Sequence, residues 1–154
     1  MDEMVFDRNE TLVSIPDNSC NDTEEFIDIN KLVSLQELSI GKRSFQGVSN
    51  FNIDQLNELK HIAIDDYSFT TCCNPNPYGS FNVSNCAELE SIILGLFSFG
   101  HYYESFSLVN LPCLNYLKIG SIGSFSSNFF QLSFCVKGIV TLFAIGMINR
   151  FAQA

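Results

Sequence analysis

Five stretches of the chain share one spacing of apolar positions: apolar, two residues, apolar, two residues, apolar, one residue, apolar. They are Leu32/Leu35/Leu38/Ile40, Leu56/Leu59/Ile62/Ile64, Cys86/Leu89/Ile92/Leu94, Leu111/Leu114/Leu117/Ile119 and Ile139/Leu142/Ile145/Met147. Their starts lie 24, 30, 25 and 28 residues apart, a period that predicts a solenoid. The end of each copy alternates, as in Leu38-Ser39-Ile40 and Leu117-Lys118-Ile119. Alternation of period 2 predicts a strand with its apolar side chains on one face.

A second alternating segment precedes each start at offsets of five and three residues: Phe51/Ile53, Phe81/Val83, Phe106/Leu108 and Phe134/Val136. Ile27 and Ile29 stand at the same offsets before Leu32. Leu12-Val13-Ser14-Ile15 also alternates, so residues 12–31 read as a degenerate first repeat. Between the two segments of a unit lies Ser-Phe: Ser44-Phe45, Ser68-Phe69, Ser98-Phe99 and Ser124-Phe125. The Phe column is expected to fill the interior and the Ser hydroxyls to satisfy backbone groups at the turn. With two strands and short turns per unit, the expected fold is mainly β with little helix.

The predicted organisation is a polar lead-in over 1–11, one repeat domain over 12–148 and a tail over 149–154. Thr70–Gly79 holds Pro75, Pro77 and Gly79 and reads as an irregular insertion. Residues 129–148 are mostly apolar and about the length of a membrane span. They carry Gln131 and Lys137 and keep the repeat spacing, so a repeat is expected there and no membrane. Six residues after Ile148 are too few for the polar cap a solenoid end needs. Whether the chain is a fragment of a longer protein is left open.

The pattern Leu-x-x-Leu-x-x-Leu-x-Ile-Gly-x-x-Ser-Phe resembles the leucine-rich repeat, and most resembles its BspA-like subclass, known from bacterial surface proteins and some anaerobic protists. Ser stands here where leucine-rich repeats commonly carry Asn after the inner strand, and Ser-Phe replaces the usual Ala-Phe. The resemblance implies a curved right-handed coil, with a parallel sheet inside and short outer strands. It also implies a protein-binding role.

In that register Glu37, His61, Ser91 and Tyr116 precede the third apolar position, and Ser39, Ala63, Ile93 and Lys118 follow it. Strands about 5 Å apart would bring these side chains to the concave face, where solenoids commonly bind partners. The expected partner site is Glu37, His61, Ile93, Tyr116 and Lys118.

Net charge is −9, which argues against nucleic acid as a partner. Nine of the 17 acidic residues fall in the first 28 positions, as on a solvated outer edge. The start Met-Asp-Glu-Met-Val-Phe-Asp has neither the basic region nor the apolar core of a signal peptide. The compartment is left open: cytosol for the chain as written, cell surface if its N-terminus is incomplete. Asn9, Asn21 and Asn82 head sequons of a number expected by chance.

Six cysteines match no zinc spacing and no disulfide scaffold. Cys72-Cys73 with Cys86 does not supply four tetrahedral ligands, and Cys86 occupies a Leu position, as a small buried hydrophobe does. His61 and His101 fit no catalytic signature, and no phosphate loop is present. The expectation is a non-catalytic module without cofactor or metal that binds another protein. The alternatives are a structural segment of a longer repeat protein and, if secreted, an adhesion or carbohydrate-binding protein.

Overall fold

The computed structural model describes residues 6–22, 28–70, 79–100, 104–120, 134–138 and 143–144. Outside them lie Ile27, Cys72, Cys73, His101, Ser124-Phe125, the spacing residues of the last copy, most of the 70–79 insertion, most of 129–148 and the 149–154 tail.

Leu12-Val-Ser-Ile15 forms strand β1, and the four complete copies that follow each end in a strand: β2 (Glu37–Ile40), β4 (His61–Ile64), β6 (Ser91–Leu94) and β8 (Tyr116–Ile119). The second segments form β3 (Asn50–Asp54), β5 (Ser80–Ser84), β7 (Ser105–Val109) and β9 (Phe134–Lys137). With β10 (Phe143–Ala144), the strands build a six-stranded sheet in the order β1-β2-β4-β6-β8-β10 and a four-stranded sheet in the order β3-β5-β7-β9. All pairings are parallel. From β2 onward, consecutive strands alternate between the sheets. The chain is therefore mainly β, and its described helix is one 3-10 turn, Ile29–Lys31. Among the described residues no helix is long and apolar enough to cross a membrane.

The apolar members of each pattern meet in one core. Leu38, Ile62, Ile92 and Leu117 are buried in register, and so are Phe51, Phe81 and Phe106 across the second sheet. Phenylalanines stack in two columns. Phe45, Phe69 and Phe99 lie 5.2 and 4.8 Å apart between ring centres; Phe51, Phe81 and Phe106 lie 4.9 and 5.0 Å apart. The columns touch edge to face, as Phe51 does on Phe69 and Phe99. Both arrangements suit the ring quadrupole.

The buried serines run down the turn between the sheets. Ser44, Ser68 and Ser98 are fully buried, and their hydroxyls donate to the carbonyls of Pro16, Gly41 and Asp65 at 3.0, 2.8 and 2.7 Å. The Oγ of Ser68 also accepts the Ser44 N–H at 3.2 Å, and that of Ser44 accepts the Ser19 N–H at 3.2 Å. Each unit thus satisfies its neighbour's buried backbone.

The residues flanking these serines, and those flanking Ser19 at the head of the column, are left-handed. Asn18 and Cys20, Arg43 and Phe45, Tyr67 and Phe69, and Phe97 and Phe99 all have φ between 53 and 61°. A left-handed non-glycine costs roughly 1–2 kcal/mol. Here the buried Phe stack and the Ser bonds hold the turn in place. A second left-handed column, Gln55, Asn85, Asn110 and Gly138, precedes every copy after the first. Its amides are linked, Asn110 Nδ2 donating to Asn85 Oδ1 at 2.9 Å and Asn85 Nδ2 to Asp54 Oδ1 at 2.8 Å. Hydrogen bonds from Ser84 and Asn85 hold the Asp54 carboxyl below its usual range.

Two expectations need correction. In the first repeat the described end of the second segment is not a strand: Ile29 is buried as expected but opens the 3-10 turn, and Ile27 lies outside the described residues. The side chain of Asn30 replaces a pairing strand, its Oδ1 accepting the Asp54 N–H at 2.9 Å and its Nδ2 donating to the Asn52 carbonyl at 3.4 Å. In the last copy, the spacing sets Ile145 opposite Leu117. The structure pairs Ala144 with Leu117 and Phe143 with Tyr116, while Phe134 still faces Phe106. The connection from β9 to β10 is one residue shorter than that from β7 to β8, and the register slips by one.

Candidate functional site

Each strand of the six-stranded sheet turns alternate residues into the core, so the others form rows on its free face. Cross-strand pairing sets Leu12, Glu37, His61, Ser91 and Tyr116 in one row. It sets Ser14, Ser39, Ala63, Ile93 and Lys118 in the next. Glu37, His61, Ile93, Tyr116 and Lys118 therefore lie on one face, across four adjacent strands. Ile93 is 37% exposed and Leu12 51%, which is unusual for large aliphatic side chains in this chain.

Leu12 and Ser14 were absent from the residues expected on this face. The signal was available: Val13 and Ile15 alternate with them and pair with Leu38 and Ile40, at the third and fourth apolar positions of the repeat.

The central polar contact of the face is His61 Nδ1 to Ser91 Oγ, 2.9 Å. With the proton on Nε2, the serine hydroxyl donates to Nδ1. Glu37 stands opposite His61 in register but forms no ion pair with it. The three residue types of a hydrolytic triad thus stand in one row without the acid–histidine bond that would orient the imidazole. The strand N–H groups lie in the plane of the sheet, committed to the ladder, so they do not converge above Ser91 as oxyanion donors.

A shallow cavity of about 590 Å³ runs along the C-terminal ends of these strands. Ala63, Ile93 and Lys118 line it from the face, and Asp17, Asp65 and Asp66 from the turns. All three carboxylates are already engaged: Asp17 Oδ1 accepts the Lys42 N–H, Asp65 Oδ1 the Asp66 N–H and Asp66 Oδ1 the Leu96 N–H, each at 2.8 Å. Among the described residues no three His, Cys, Asp or Glu side chains converge as metal ligands. In the turns that follow β2, β4 and β6, Arg43 lies over the Tyr67 ring, 5.8 Å to its centre, and Tyr67 stacks on Phe97 at 5.4 Å.

Cys86 is fully buried at the position three other copies give to Leu, and burial pushes its thiol up to about 11. A thiol so raised is a poor nucleophile at neutral pH. Burial also raises the thiol of Cys20, which packs at the edge of the core in the column otherwise held by Phe45, Phe69 and Phe99.

No protein-family model, no curated protein and no solved structure matches the chain.

Proposed function

We propose that this chain is a non-catalytic module of the leucine-rich-repeat type, coiled as a solenoid, that binds another protein on the free face of its six-stranded sheet. The coil reading is supported by parallel pairing between strands one repeat apart, alternating between two sheets. The observation that carries the binding reading is the pair of in-register rows holding Glu37, His61, Ile93, Tyr116 and Lys118 on one rigid surface. A sheet fixes these side chains before the partner arrives, which lowers the ordering cost of binding. Tyr116 supplies an aromatic anchor, Ile93 an apolar centre, and Glu37 and Lys118 charges of opposite sign.

The test is affinity capture from the native cell and its surroundings, with the full chain as bait beside a variant carrying His61→Glu, Tyr116→Glu and Lys118→Glu. Both baits must first elute as folded protein. A partner that binds the wild type directly after purification, and binds the variant at least tenfold more weakly, supports the face. Equal binding by both moves the site elsewhere on the molecule.

A further inference from the structure

We draw no further inference here: the strongest candidate, the shallow cavity along the C-terminal ends of the six-stranded sheet where Asp17, Asp65 and Asp66 gather, is an acidic cluster whose three carboxylates already accept backbone N–H groups, and nothing else at it points to a ligand.

Discussion

Asp66 reaches the backbone N–H of Leu96 at 2.8 Å by passing over Gly95. A Cβ on Gly95 would sit 2.5 Å from the Asp66 nitrogen and 2.6 Å from its side-chain oxygen. The same pairing occurs two strand pairs earlier, where Asp17 caps the Lys42 N–H across Gly41. The glycine of one unit thus exists for the aspartate of the unit before it.

This predicts unequal costs for two substitutions. Asp66→Ala removes one charge-assisted bond at a partly exposed site and should cost about 1–2 kcal/mol in urea unfolding. Gly95→Ala drives a methyl into backbone as well as into the carboxylate, and should cost about 2–3 kcal/mol. Because the backbone contact persists, the double variant should remain less stable than Asp66→Ala alone. Full rescue of Gly95→Ala by Asp66→Ala would show that only the side chain obstructs.

The serine column allows a sharper contrast. Ser68 is fully buried and bonds two backbone groups, the Gly41 carbonyl and the Ser44 N–H. Ser68→Ala leaves both short of a partner and should lower stability by about 2 kcal/mol or more. Ser91 bonds His61 on the solvent face, where replacement by Ala should change stability by about 0.5 kcal/mol or less. Equal effects in thermal unfolding would mean that the hydroxyl of Ser68 carries no share of the turn.

Gln55 has φ 60° in the column that otherwise holds Asn85, Asn110 and Gly138. Asn enters the left-handed region more readily than Gln, and a β-branched residue enters it least readily. Gln55→Asn is therefore expected to be slightly more stable than wild type, by about 0.5 kcal/mol, and Gln55→Val less stable by about 1–2 kcal/mol. The reverse ranking in chemical denaturation would show that packing, not backbone conformation, governs this position.

Much of the pairing was legible in the spacing. The recurrence that places Leu38, Ile62, Ile92 and Leu117 at one position also gives their observed register, because an alternating strand has one way to bury its apolar side chains. The free-face rows follow without further information. The left-handed turns were not legible, since Arg43, Tyr67 and Phe97 are residues that local preference keeps out of that region. They are held there by contacts between units, as in Tyr67 on Phe97. Asn30 also escaped the pattern, because a side chain standing in for a strand leaves no period. The slip at Ala144 was not legible either, because the spacing sets Ile145, not Ala144, opposite Leu117.

Cys86 ties the core to pH. Burial raises its thiol from 9.0 to about 11, and its Sγ donates to the Ser84 carbonyl at 3.2 Å. A raised acid binds its proton more tightly when folded. The associated stability is therefore complete below about pH 9 and declines as pH rises from 9 towards 11, by on the order of 2 kcal/mol. Below pH 8 this group contributes no slope. Urea midpoints measured across that range should fall in the wild type, and the part due to this thiol should vanish in Cys86→Ala, which starts less stable because its cavity is unfilled. Alkylation offers an independent check. Exposed Cys113 should react with iodoacetamide at pH 8 at least about tenfold faster than Cys86, whose thiol is buried and raised. Comparable rates would mean that the core around Cys86 opens to solvent.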